Sequence, residues 1–445
     1  MAASTTQHGS RLRAEHDPRA AALLIIDTVL AGKEASQNIL DATLRDSRLV
    51  PLDKRLCTEL VYGYLRNRIC VSWHLEQLLA HPEKLPAEMQ LTLGLAAYEL
   101  AYLSRIPAHA SVNWAVSRVR NRFGQGLAKV ANGVLRSFSR NVPGLFDDAR
   151  YASLPEADAR LAVRFALPVW IFRLWREAYG DEVALCYAKA SSAQAVSALR
   201  VNAARERAAS LRAQLVNDCK GVPVGAWGVA FPEGAPYAAR SLEREGAVSF
   251  QSPGVQEVMA FLDATSWKGS VWDACAGRGG KTAALLELGV NVAAATDASA
   301  ARIGLLPGEL ARLGLDATGL AVKEADAASV DAVTSSFDVV LADVPCSGLG
   351  TLSRRPEIRF RRTEADCDAL CATQDAILDA AAAHTASGGS IAYLTCTLNP
   401  RENEQRIAAF LARHASFFLE REWRTPDDSP WNEFFYAAVV RHTGA

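Results

Sequence analysis

The sequence predicts three domains: an all-α N-terminal domain, a small α+β connecting domain, and a C-terminal α/β domain built on a parallel sheet. Three observations carry this. Apolar residues recur at helical spacing from about residue 18 to 140. Between about 145 and 245, helical, strand-like and Gly/Pro-rich stretches mix. After 246, short apolar runs alternate with helical segments, the mark of a parallel α/β sheet. The boundaries are therefore 1–145, 146–245 and 246–445, and 445 residues are too many for one ordinary core.

Half of the residues are hydrophobic and 22% are charged, a globular balance rather than a disordered one. With a net charge of −1, any affinity for nucleic acid must come from local patches. The nine cysteines are scattered and form no CxxC pair, which argues against a zinc ribbon or a thioredoxin-like site; no metal is expected. Unpaired thiols in a long chain fit a reducing cytosol. The N-terminus is polar, and the first apolar run, Leu23 to Ile26, stops at Asp27. Neither a signal peptide nor a membrane span is expected, and the chain is read as cytoplasmic.

In the first domain, helices are expected over Ala20–Leu30, Leu52–Leu65, Val71–Leu79, Gln90–Leu103 and Ala110–Arg120. Breaks fall at His81-Pro82, Pro86 and Gly124–Gly126. Arg105–Arg140 holds seven Lys or Arg and no acid, with Arg118, Arg120 and Arg122 interleaved with Trp114 and Phe123. A solvated helix face would explain this; so would a surface facing phosphate, the reading preferred in a nearly neutral chain. The second domain offers a helix at Pro168–Leu185, a strand at Ala198–Asn202 and a Gly/Pro-rich stretch at Gly221–Pro236.

The third domain offers strands at Ser270–Ala274, Asn291–Thr296, Thr318–Val322, Phe337–Ala342 and Ser390–Thr395, with helices such as Lys281–Leu288 and Cys371–Thr385 between them. Ligands bind beyond the carboxyl ends of such strands. After the first comes Asp273-Ala-Cys-Ala-Gly-Arg-Gly-Gly-Lys281, a glycine-rich turn opening a helix, suited to receive a carboxylate on free N–H groups. After the second comes Asp297, an acid suited to ribose hydroxyls; after the third, Asp326. After the fourth comes Asp343-Val-Pro-Cys-Ser-Gly348, and after the fifth Thr395-Cys396-Thr397. A phosphate-loop NTPase is a rival because Gly280-Lys281-Thr282 ends like a Walker A motif, but that motif needs glycine where Cys275 stands.

The two thiols point to a chemistry. Carbon 5 of cytosine is a poor nucleophile until a thiolate adds to carbon 6 and pushes electron density onto carbon 5, which then attacks a methyl sulfonium. Such an enzyme needs a thiol and a carboxylate beside the methyl donor. Cys346 and Cys396 end two strands expected to be neighbours, and paired strands lie about 4.8 Å apart. Asp343 is placed to hold the cytosine N3/N4 edge. The bland alternative makes both cysteines small buried hydrophobes; that is the reading adopted for Cys275, Cys367 and Cys371.

At this point the residues resemble a known family, the RNA cytosine-C5 methyltransferases of the RsmB/Sun (Fmu) type. Asp273–Lys281 is similar to its DACAAPGGK loop, Asp343–Gly350 to DAPCSGxG, Tyr393–Thr397 to YSTCS, Arg354–Ile358 to RRHPDI and Leu199–Asn202 to LRVN. Ile106–His109 and Ala131–Arg136 resemble a NusB-like RNA-binding domain. The resemblance implies a Rossmann-like S-adenosylmethionine-dependent methyltransferase domain acting, as a monomer, on small-subunit ribosomal RNA. It implies Cys396 as nucleophile, Cys346 as the thiol that helps release the product, and Asp343 on the base. The cofactor falls to Asp273, the loop Cys275, Ala276, Gly277, Arg278, Gly279, Gly280 and Lys281, and to Asp297, Arg302, Asp326 and Asp343. Arg118, Arg120, Arg122, Arg136, Arg354, Arg355 and Arg359 are the residues expected to grip RNA.

Three departures stand out. Gly277-Arg278 replaces Ala-Pro in the loop, Pro307-Gly308 interrupts the helix expected after Asp297, and the C-terminal strand reads Asn432-Glu-Phe-Phe435 without the usual glycine. Two rivals stay open: a DNA cytosine methylase using Cys346 as nucleophile, and a non-enzymatic RNA-binding protein that keeps only the fold.

Overall fold

The computed structural model describes residues 16–32 and 34–444, so the polar extreme N-terminus lies outside the described residues. The chain forms two compact units. The first comprises the chain up to Gln194 together with Leu352–Arg361; the second comprises Ala195–Thr351 and Arg362 onward. Residues 146–245, read from sequence as one connecting domain, are thus divided between them.

The first unit is helical. Pro18 and Pro51 open helices Pro18–Ala31 and Pro51–Glu76, where a missing N–H costs nothing. The segments Leu52–Leu65 and Val71–Leu79 are one helix rather than two. The polar interruption between them includes Arg66, which is buried and donates to the carbonyl of Ser353 at 3.2 Å. Helices Ala87–Tyr102, Ala108–Phe123 and Gln125–Asn141 complete a core in which Ile25, Leu60, Leu93, Leu135 and Phe138 are buried. The helix expected over Pro168–Leu185 breaks at Gly180 (φ 85°) into Val169–Tyr179 and Asp181–Ser192.

Leu352–Arg361 is held in this unit by specific bonds. Ser36 donates its hydroxyl to Glu357 at 2.9 Å, Arg361 donates to the carbonyl of Glu34 at 2.8 Å, and Phe360 packs against the helical core. Arg359 donates to the carbonyls of Leu352 and Ser191 and is 3% exposed. This corrects the sequence reading: its guanidinium satisfies buried carbonyls and does not face phosphate.

The second unit holds two sheets. The smaller is antiparallel, in the order β2-β3-β1-β4, from β1 (Ser197–Val201), β2 (Val222–Val224), β3 (Gly228–Phe231) and β4 (Val248–Phe250). The larger contains β5 (Val271–Asp273), β6 (Val292–Asp297), β7 (Ala321–Glu324), β8 (Phe337–Asp343), β9 (Thr385–Thr395), β10 (Phe417–Arg424) and β11 (Tyr436–His442). Its order is β10-β11-β9-β8-β5-β6-β7. The five expected strands pair in parallel, while β10 and β11 add an antiparallel edge; the sequence reading expected one C-terminal strand there, at Asn432–Phe435, and not its partner. Asn432–Phe435 is not a strand: Asn432 turns left-handed at φ 58°, and pairing begins at Tyr436. The break expected at Pro307 is present, with proline in the first turn of a new helix, Leu306–Leu313. Apolar clusters cover both faces of the sheet, around Trp272, Val340 and Tyr393 on one and Leu341, Leu394 and Ala437 on the other. Among the described residues, no helix is long and apolar enough to cross a membrane.

Candidate active site

Parallel pairing of β8 with β9 sets Asp343 opposite Leu394. Cys346 follows three residues after the first and Cys396 two after the second, so both thiols emerge at the carboxyl edge of the sheet. Their sulfurs lie 3.2 Å apart, and the backbone N–H of Cys396 points at the sulfur of Cys346 at 3.3 Å. Gly350 binds the second loop to the first through the carbonyl of Cys396 at 3.0 Å. A Cβ on Gly350 would sit 2.0 Å from the carbonyl oxygen of Phe434, so no larger residue fits.

A second set of bonds, which the sequence reading missed, sits beneath the thiols. Glu402 is fully buried and accepts from the Ser347 N–H (2.8 Å), Gln374 (3.0 Å) and Asn399 (2.9 Å). Asn403 accepts from Thr395 (2.6 Å) and donates to the carbonyl of Thr397 (3.0 Å). Ser347 and Thr397 share a 2.6 Å hydroxyl contact. A polar cluster within seven residues of Cys396, Asn399-Pro-Arg-Glu-Asn403, was the signal that could have revealed it. The Cys346 thiol is raised well above its usual pKa, first by its hydrogen bond to Cys396, then by burial and the nearby charge of Glu402.

The glycine turn stands beside this pair. Lys281 donates to Asp343 at 2.5 Å. Burial lowers the Lys281 ammonium, but the charges of Asp343, Asp273 and Cys396 outweigh it and raise its pKa. Gly277 and Gly279 are left-handed (φ 59° and 86°), and a Cβ on Gly279 would meet the Leu306 side chain at 2.2 Å. Ala276 is buried and Cys275 half-buried, its thiol raised by burial first, so Cys275 is a packing residue. Gly280 and Arg278 are exposed.

Asp297 ends β6 and accepts from the Gly277 N–H (2.9 Å) and the Ser299 N–H (2.8 Å), with Arg302 at 2.9 Å. Those two cofactor candidates therefore meet each other. Asp326 lies at an exposed turn after β7, with β5 and β6 between it and β8. Asp273 is fully buried; Thr282 donates to one of its oxygens at 2.7 Å, and the other has no hydrogen-bond partner among the described residues. An uncompensated buried carboxylate oxygen in a glycine turn fits a ligand that carries a cationic donor, such as the ammonium of S-adenosylmethionine.

Of the arginines read as RNA contacts, Arg118 and Arg122 each reach Glu88 at 3.0 Å, while Arg120 and Arg136 are exposed. Arg354 is half-buried, and Arg355 is exposed with Glu357 at 4.0 Å.

The fold and the family matches define a methyltransferase that takes its methyl group from S-adenosylmethionine. Residues 261–435 match the family described as 16S rRNA methyltransferase RsmB/F, and residues 16–140 match the NusB family. The ribosomal RNA small subunit methyltransferase B of Escherichia coli is 31% identical, with 97% of this chain and 100% of that protein covered. Among solved structures, PH0851 superposes with a TM-score of 0.70 at 20% identity, covering 94% of this chain and 97% of that one. A methyltransferase homologue from Pyrococcus horikoshii gives 0.55 at 21%, covering 65% and 100%. The chain belongs to the RsmB/F family of 16S rRNA methyltransferases.

Burial raises the Asp273 pKa to about 7, with Thr282 opposing it and Asp343 adding to it. A carboxyl raised on folding contributes stability that is complete below about pH 4 and lost as pH rises through about 7. In denaturant melts from pH 4.5 to 8, the stability of wild type minus that of Asp273→Asn should fall with rising pH by more than about 1.4 kcal/mol, the value of one pKa unit. A pH-independent difference would contradict the assignment.

Proposed function

We propose that the protein methylates carbon 5 of a cytosine in small-subunit ribosomal RNA through a covalent adduct with Cys396. The observation that carries this is the 3.2 Å sulfur pair beside the Lys281–Asp343 bridge. The substrate class rests on the family relationship and on the NusB match over residues 16–140.

The two sulfurs stand in different fields. The Cys346 thiol is raised first by its hydrogen-bond contact with Cys396, then by burial, by the charge of Cys396 and by that of Glu402, all of which disfavour its thiolate. Cys396 is the sulfur whose charge acts on the Lys281 ammonium. In the proposed reaction the Cys396 sulfur bonds to carbon 6, and the electrons of the C5=C6 bond move to carbon 5. S-adenosylmethionine supplies the methyl group that carbon 5 takes, leaving as the thioether. A water molecule then takes the carbon-5 proton, the electron pair of that C–H bond re-forms the C5=C6 double bond, and the carbon–sulfur bond breaks with its pair going to Cys396, which leaves as thiolate. Cys346 assists this release. Asp343, held by Lys281, faces the base edge, and Asp273, Asp297, Arg302, Asp326 and the 275–281 loop form the cofactor side.

RNA carrying 5-fluorocytosine blocks the release step because fluorine replaces the proton that must leave. Cys346→Ala should cross-link to it and Cys396→Ala should not. The reverse pattern would favour the DNA-methylase type of attack through Cys346, and no adduct in wild type would favour a binding protein.

Arg118, Arg120, Arg122, Arg136, Arg354 and Arg355 are the proposed phosphate contacts. Changing Arg118, Arg120 and Arg122 together to Gln removes three cations but frees Glu88. The slope of log affinity against log salt should therefore drop by about one to two rather than nearly three. Arg359→Met should lower thermal stability and leave the slope as it was. Unchanged slopes in both would count against this RNA surface.

A further inference from the structure

We infer that Arg200, on the small antiparallel sheet, is a positioning residue for the cofactor loop; this rests on the assignment of residues 273–281 to S-adenosylmethionine. Along β1, Leu199 and Val201 point into the core of the small sheet, and Arg200 points the other way. Its guanidinium is buried and uses all three nitrogens. Nε and Nη2 hold the two carboxylate oxygens of Glu287 at 2.8 and 2.9 Å, and Nη1 donates to the carbonyl of Gly280 at 2.9 Å.

Gly280 and Glu287 are the first and last residues of the helix that the glycine turn opens. Residues seven apart lie on one face of a helix, and a side chain there leans toward the N-terminus. One guanidinium therefore grips both ends of this helix. The grip on Gly280 matters for binding because its carbonyl and the N–H of Lys281 share one planar peptide. Fixing the oxygen fixes the direction of that N–H, one of the first-turn donors without a partner inside the helix. It also sets the start of the Lys281 side chain, whose ammonium must reach Asp343. Gln251 adds a longer contact to the same carbonyl, 3.4 Å.

Only a forked cation meets three acceptors in this way; lysine pairs with Glu287 but cannot also hold Gly280. The small sheet thus acts as a brace for the cofactor turn. A second arginine supplies the control. Arg312 ties the same small sheet to the helix Leu306–Leu313 through Ser249 (2.8 Å), the carbonyl of Val248 (3.1 Å) and Glu309 (2.5 Å), with no bond to the glycine turn.

The test is calorimetric titration of the full chain with S-adenosylmethionine, alongside steady-state kinetics. Arg200→Lys should raise Kd about tenfold and raise the KM for the cofactor, while kcat at saturating cofactor is retained. Arg312→Lys should lower Tm to a similar degree and leave Kd within about twofold of wild type. Equal Kd values for Arg200→Lys and wild type, or equal losses in both Lys variants, would overturn the inference. Should Arg200→Lys not fold, the double variant Arg200→Met, Glu287→Met leaves no buried charge and reads the same Kd. Asp297→Ala in the same titration separates the two levels. If it weakens binding and Arg200→Lys does not, the inference alone falls; if neither does, the loop assignment falls with it.

Discussion

Everything in the catalytic unit turns on how β8 lies against β9. The parallel register that puts Asp343 opposite Leu394 brings the Pro-Cys and Thr-Cys turns out side by side. A shift of one residue along either strand would turn its apolar side chains to the other face and carry one thiol away from its partner. The apolar clusters on both faces resist that shift. The meeting of the two thiols is therefore a consequence of core packing, and the loops need only short spans to complete it. Gly350, pressed between Phe434 and Cys396, joins the two turns where side chains have no room.

Charge placement follows from the same edge. Asp273, Glu402 and the Arg200–Glu287 pair are all buried, and each bonds to the glycine-turn helix or to the turn that holds Cys346. Burying such groups is costly, and a hydrophobic set of similar volume would often be as stable. Their positions make sense as orienting devices. Glu402 fixes the turn of Cys346 by its bond to the Ser347 N–H, Arg200 holds the carbonyl of Gly280, and Lys281 with Asp343 spans the gap between the glycine turn and the strand that leads to Cys346.

The legible part of this protein was the part written in local pattern. Five strands of the large sheet, the glycine turn, the acids at strand ends and the two cysteine turns could each be read from a few neighbouring residues. What escaped depends on long-range meetings. Arg200 and Gly280 are eighty residues apart, and no window of sequence pairs them. Glu402 carries no local sign of its role, because its partners Ser347 and Gln374 lie fifty-five and twenty-eight residues away. Arg359 sits in an arginine-rich run that suggests phosphate, yet the segment Leu352–Arg361 belongs to the helical unit and buries it. The helix through Arg66 read as two because a buried arginine mimics a break in an apolar stripe.

The central claim is that one of two touching sulfurs attacks the base and the other does not. Wild-type enzyme trapped on 5-fluorocytosine RNA, digested and mapped by mass spectrometry, tests it most directly. The account requires the nucleotide on the peptide containing Cys396, with Cys346 unmodified. A nucleotide attached to Cys346 would contradict it.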